Sequence, residues 1–272
     1  MVSNDQRRRQ LAREKFLRQQ QRRESARRKA RMRNTVIASV LAVVVVGGAG
    51  AFAAGAFDGK DTKDSAGAKP SASPSASKAA DPCEKPAAGT AKSLSWKKEP
   101  ALTIDRSAGY TMNLATTCGD IGVDLKTKQA PHTVNSFAFL AGKGFFDHTK
   151  CHRLTTNGIY VLQCGDPKGT GAGGPGYTIP DENLKDKSLK GNVYPAGTVA
   201  MANTGQKHTG GSQFFLVYQD SQLPPSYTPF GTISDSGMKV LKKIAAAGES
   251  TGQGDGAPNA TVVINKATVT KS

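Results

Sequence analysis

Acidic side chains are scarce in this chain of 272 residues: 21 Asp and Glu stand against 37 Lys and Arg, a formal net charge of +16. Such an imbalance suits a nucleic-acid partner only where it covers a folded surface. Here residues 1–34 carry 13 basic and 3 acidic side chains, residues 58–100 carry 8 and 6, and residues 101–272 carry 16 and 12. The excess belongs to the N-terminal tail, which lacks the interleaved aromatics that stack on bases, so no nucleic-acid partner is expected. Histidine is also sparse, at four residues. His148 and His152 flank Cys151, but no second cluster completes a four-ligand set, so no metal is expected. Gly210-Gly211-Ser212-Gln213-Phe214 lacks the second glycine of a nucleophile elbow, and no carboxylate is placed to orient a base, which argues against hydrolase chemistry.

Charge is absent altogether from residues 35–57, TVIASVLAVVVVGGAGAFAAGAF. At about 1.5 Å per residue this run matches a hydrocarbon slab of about 30 Å and predicts one transmembrane helix. The basic cluster lies on its N-terminal side, which keeps residues 1–34 cytoplasmic and sends the rest across. Juxtamembrane cations gain about 1 kcal/mol each near an anionic leaflet, so lipid headgroups are the partner the tail suits. Ala51-Phe52-Ala53 offers an alternative, cleavage and secretion. Residues 58–100 include GAKPSASPSASKAADP, too poor in apolar side chains to bury area, and read as an extended linker. All four cysteines follow the apolar run, in what that topology makes an oxidising compartment, so disulfides are expected. Four thiols allow three pairings. Cys151–Cys164 and Cys83–Cys118 are favoured, the second clipping the end of the tether to the first hairpin; four unpaired thiols are the alternative.

Residues 101–272 read as one domain, mostly of period two. Tyr110, Met112 and Leu114 alternate with polar residues, Cys118-Gly119-Asp120 supplies a turn, and Ile121, Val123 and Leu125 alternate again, which predicts a hairpin with one buried face. Further strands are expected near 160–163, 198–202, 214–218 and 261–269. Pro131 opens a helix with Val134, Phe137, Ala138 and Ala141 on one face, stopped near Gly142 and Gly144. Met238, Leu241, Ile244 and Ala245 mark a second, ended by Gly248. The fold class is mainly β, a closed antiparallel barrel plugged or capped by two helices. Gly169-Thr170-Gly171-Ala172-Gly173-Gly174 matches a dinucleotide fingerprint only formally, since Pro175 and Pro180 forbid the helix that would hold a pyrophosphate. It reads as a loop.

Two blocks carry a more specific signal. Cys151-His152-Arg153-Leu154 leads through Tyr160-Val161-Leu162 to Gln163-Cys164-Gly165-Asp166. Met201-Ala202-Asn203-Thr204-Gly205 is followed by Gly211-Ser212-Gln213-Phe214-Phe215 and later by Phe230-Gly231. Together they resemble the cyclophilin signature, in order, over residues of about 105–270, with Val134-Asn135-Ser136-Phe137 included. The resemblance implies an eight-stranded antiparallel barrel with two helices and a peptidyl-prolyl cis-trans isomerase, here a membrane-tethered bacterial form acting on proline-containing polypeptides outside the cytoplasm.

What that activity requires follows from the amide. Rotation of an X-Pro bond breaks resonance but cleaves nothing, so a pocket for the ring and a donor for the twisted amide suffice and no cofactor is expected. The resemblance makes Arg153 the catalytic donor, with His152 beside it and Gln163 orienting it. It maps Tyr160, Val161, Phe215, Leu223 and Tyr227 onto the proline pocket and Ala202 and Asn203 onto the wall that holds the preceding peptide by its backbone, with Gln213 a further substrate-binding residue. The chain departs from the pattern in several places: Cys151 replaces an aromatic, two extra residues fall within 155–159, Gln222 replaces a frequent Trp or Phe, and Tyr227 a frequent His. Gln222 predicts weak binding of cyclosporin-type macrocycles. Two other readings compete: a tethered binding module or holdase that uses the same groove with little turnover, and a passive outer domain serving a functional tail.

Overall fold

The computed structural model describes residues 80–271. The basic tail, the predicted membrane helix and the linker as far as residue 79 lie outside the described residues. Among the described residues no helix is long and apolar enough to cross a membrane. In chain order the elements are β1 (Tyr110–Thr116), β2 (Gly119–Leu125), α1 (Pro131–Gly142), β3 (Thr149–Lys150), β4 (Arg153–Thr155), β5 (Val161–Cys164), β6 (Val193–Tyr194), β7 (Thr198–Met201), β8 (Phe214–Val217), β9 (Ser221–Gln222), β10 (Pro229–Ile233), α2 (Asp235–Ala246), β11 (Asp255–Gly256) and β12 (Val263–Lys271).

Ten strands form one antiparallel sheet in the order β11-β4-β5-β8-β7-β10-β2-β1-β12-β3, while β6 and β9 pair separately. The sheet curls. Its end strand β3 is joined to β4, next to the other end, through Cys151 and His152 alone, so one short run of chain pairs first with β12 and then with β5. Ten strands replace the expected eight because two-residue pairings such as β3 and β11 take part in the ladder.

Alternation on the strands fills the interior. Met112 and Leu114 of β1, and Ile121 and Val123 of β2, point inward and are buried, as the period-two pattern predicts. Helix α1 adds Val134, Phe137, Leu140 and Ala141. The Phe137 ring lies 4.5 Å from Phe230, 5.2 Å from Phe146 and 5.4 Å from Phe214. Burial of one such side chain contributes about 1.5–3 kcal/mol. Pro131 sets the first turn of α1, and its exposed N–H groups are capped from a distant loop: the backbone N–H groups of His132 and Thr133 donate to Glu182 at 3.0 and 2.8 Å. A carboxylate there also complements the helix dipole. Helix α2 is capped locally, the Ser234 hydroxyl accepting from the Gly237 N–H at 3.1 Å.

Both favoured disulfides are present, Cys83–Cys118 and Cys151–Cys164. The first has a consequence for the linker. Sequence composition extends the linker to residue 100, but residues 83–100 lie against the domain. Glu84 donates its N–H to the Thr117 carbonyl at 2.8 Å, and Trp96 packs edge-on to Phe139 with ring centroids 5.0 Å apart. One crosslink and one large aromatic ring anchor a segment whose average composition resembles a tether.

Candidate active site

Residues directly opposite each other in an antiparallel pair share a face. Across β4, β5, β8 and β7 the register sets Arg153 opposite Gln163, Gln163 opposite Phe215 and Phe215 opposite Ala200. The neighbouring row, Leu154, Leu162, Leu216 and Val199, belongs to the buried core. The first row therefore lies on the outer face of the sheet. There a second apolar cluster gathers Val161, Tyr194, Ala200, Phe215, Val217 and Leu223.

This cluster floors a notch of about 190 Å³ in which Val161, Phe215, Leu223 and Tyr227 face Arg153, Gln163, Ala202 and Asn203. The Tyr227 ring stands edge-on to Phe215 at 5.3 Å and 81°. Its backbone is pinned by Tyr194, whose hydroxyl donates to the Tyr227 carbonyl at 2.8 Å and accepts from its N–H at 3.2 Å. Burial pushes the Tyr194 phenol up to about 12, which keeps that donor protonated.

The Arg153 guanidinium is held on two sides. Its Nε and Nη2 donate to the two carboxylate oxygens of Asp255 at 2.7 Å each, and its Nη1 donates to Gln163 Oε1 at 3.2 Å. Gln163 Nε2 in turn donates to Gln213 Oε1 at 2.9 Å, and Gln213 Nε2 to the Gly173 carbonyl at 2.8 Å. The hydrogen bond to Asp255 raises the guanidinium above its ordinary value and holds the carboxyl below its own. Both partners are partly open to water, with 38% and 56% of their side chains exposed. The pair therefore adds little to stability and mainly fixes orientation.

Two site expectations fail on geometry. Tyr160 does not line the notch; its ring packs on Tyr218 at 5.9 Å, and Ile159 takes that wall. His152 lies in a separate hollow with Lys150 and Cys151. Neither of its ring nitrogens has a hydrogen-bond partner, and burial lowers its pKa, favouring the neutral ring. Alternation explains both, since residues adjacent to Arg153 and Val161 face away from them. Gln213 lies next to the notch, in a larger groove of about 790 Å³ that shares Gln163, Ala202 and Asn203 with it. Two residues of the site carry no signal in the sequence. Asp255 comes from the two-residue strand β11, in a Gly-rich turn beside β4, and Tyr194 from another two-residue strand. Among the described residues no group of three or more His, Cys, Asp or Glu is placed to hold a metal ion.

Residues 111–269 match the family model of cyclophilin type peptidyl-prolyl cis-trans isomerase/CLD. The chain belongs to the cyclophilin family. It is 51% identical over 199 residues to the probable peptidyl-prolyl cis-trans isomerase B of Mycobacterium leprae, covering 70% of this chain and 63% of that protein. It is 49% identical over 165 residues to the protein of the same name from Mycobacterium tuberculosis, covering 58% of this chain and 53% of the relative. This cyclophilin thus spans less than two thirds of those relatives. The solved cyclophilin type isomerase of Cryptosporidium parvum superposes with a TM-score of 0.50 at 26% identity, over 60% of this chain and 99% of the other. A second structure of that protein was obtained in the presence of the dipeptide Ala-Pro.

The Gly-rich loop of this cyclophilin, which has no following helix, forms one wall of the larger groove. It is wound around Asp166, which is fully buried. The carboxylate accepts the backbone N–H groups of Lys168, Thr170 and Gly171 at 2.8, 2.8 and 2.7 Å. A side chain at position 173 would collide with the same carboxylate, so glycine is needed there. Burial raises the Asp166 pKa, but the donors outweigh it and hold it at about 2, below the ordinary 3.8. A depressed carboxylate stabilises the fold above its unfolded pKa and ceases to do so as pH falls through its folded one. Asp166→Asn should therefore cost about 2 kcal/mol at neutral pH and flatten the loss of stability between about pH 4 and pH 2. Urea midpoints measured across that range on both proteins check this.

Proposed function

We propose that this chain is a peptidyl-prolyl cis-trans isomerase, held to the membrane by residues 35–57, that accelerates X-Pro rotation in polypeptides outside the cytoplasm. The observation that carries the catalytic reading is a guanidinium held at the rim of an apolar notch floored by Phe215. Family membership, the charge-free run behind a basic tail and the two disulfides support the rest.

The barrier to be lowered is about 18–20 kcal/mol, and uncatalysed exchange takes tens to hundreds of seconds. The pyrrolidine ring sits on Phe215 between Leu223 and Tyr227, where burial at roughly 25 cal/mol per Å² gives a weak grip that permits release. As the amide twists, its nitrogen regains a lone pair and conjugation is lost. A guanidinium has five N–H donors. Three serve Asp255 and Gln163, which leaves two for the prolyl carbonyl and the developing lone pair. A donor fixed beforehand stabilises the twisted state without reorganising at the moment of rotation. Asp255 is then a positioning residue: it weakens the local positive field slightly and in return removes the rotational freedom of a long side chain.

Arg153→Ala should lower kcat/KM by about 10²-fold, the typical loss for one preorganised donor, while peptide resonances still shift on binding in an NMR exchange experiment. Wild-type protein that shifts those resonances without accelerating exchange would instead establish the binding-module reading. Asp255→Ala should lower kcat by about 10-fold, because a misplacement of about 1 Å can cost up to about 10²-fold. KM and folding stability should change little, the latter by under about 1 kcal/mol, and Asp255→Glu should restore part of the rate. Protease added to intact cells should remove the domain and leave residues 1–34 protected; recovery of the domain from the medium, cleaved after Ala53, would favour secretion.

A further inference from the structure

Residues 83–100 are fixed at both ends. The Cys83–Cys118 disulfide holds one end. At the other, Asn135 Nδ2 donates to the Ala101 carbonyl at 3.0 Å. Between them the Trp96 N–H donates to the Pro175 carbonyl at 2.8 Å. The strap passes so close over Gly176, where φ is 87°, that any side chain there would strike Ser95 and Trp96. This seating places Lys97 and Lys98 along the edge of the larger groove.

Both lysines are exposed. Neither has an ion-pair or hydrogen-bond partner among the described residues. The acidic side chain at the same edge, Glu99, is hydrogen-bonded to His132 Nδ1 at 2.7 Å, and the remaining lining is uncharged. Two cations against one carboxylate leave this edge of the groove net positive. The groove joins the proline notch through Gln163, Ala202 and Asn203, of which Ala202 and Asn203 are by resemblance the wall that holds the peptide before the proline.

We propose that Lys97 and Lys98 make the strap a charge filter, selecting X-Pro segments that carry a carboxylate on the residues before the proline. This rests on the isomerase reading and adds a substrate class to it. Exposed ion pairs shift an equilibrium by about 1.5–5-fold each and are screened by salt. Together the two cations should act as a modest, salt-sensitive preference.

The test compares two peptides that differ only in Glu or Gln three residues before proline, on wild type and on the double variant Lys97→Glu, Lys98→Glu. Wild type should turn over the Glu peptide about 3–10-fold faster in kcat/KM at low salt, with the preference fading above about 0.5 M. The double variant should prefer Gln, while its rate on the Gln peptide stays at the wild-type level. Equal rates for both peptides in wild type, or a Glu preference that survives the charge swap, would overturn the proposal. Absence of turnover on either peptide would sink the isomerase reading instead, and dissociation constants from chemical-shift titration of the same pairs would then decide the role of the lysines by the same criteria.

Discussion

An arginine on an open surface is a poor catalyst unless something else decides where it points. Its side chain has many rotamers, and water competes for each of its donors. Here the decision is made by a fork of two 2.7 Å hydrogen bonds to Asp255, closed from the other side by Gln163. The rest of the site follows from keeping that arrangement in place. Asp255 is brought in because β11 pairs with β4. Gln163 is brought in because β4 and β5 pair in the register that sets it opposite Arg153. Gln213 and the loop around Asp166 extend the chain of hydrogen bonds away from the notch, so that orienting the cation involves both groove walls.

The parts of this arrangement legible in the sequence are those carried by local pattern. Alternation in Tyr110, Met112 and Leu114 specifies β1, and Pro131 together with the spacing of Val134, Phe137 and Ala141 specifies α1, because each depends on residues a few positions apart. Arg153, Gln163, Phe215 and Asn203 were legible through short blocks that resemble a family. Asp255 was not, since nothing near Gly254 and Gly256 signals a partner 102 residues away. Tyr160 and His152 were misplaced for a different reason. A motif names neighbours in sequence, whereas a strand sends neighbours to opposite faces, so the residue beside a functional one is often the one turned away.

The strap shows how composition misleads over a short segment. Residues 58–100 are poor in large apolar side chains, yet Leu94 and Trp96 packed on the core, together with one crosslink, help dock the last part from Cys83 onward. Averages over forty residues dilute such point contacts. The close passage over Gly176 also means that the strap and the groove wall are built against each other, so the charged edge at Lys97 and Lys98 is a property of the packed domain.

The placement of Cys151–Cys164 bears on the same orientation problem. Cys164 follows Gln163 directly, and Cys151 lies two residues before Arg153. The crosslink therefore joins the approach to β4 with the end of β5, at the edge of the pair that carries both polar side chains. A slip of β4 by one residue against β5 would turn Arg153 toward the core and Leu154 toward water, while Gln163 stays where its pairing with β8 holds it. Strand β4 has three residues, few enough that its ladder alone defines the register weakly. The Cys151–Cys164 bond, two residues before Arg153 and one after Gln163, opposes such a slip. The short strand bearing the guanidinium is aligned by a covalent crosslink as well as by packing.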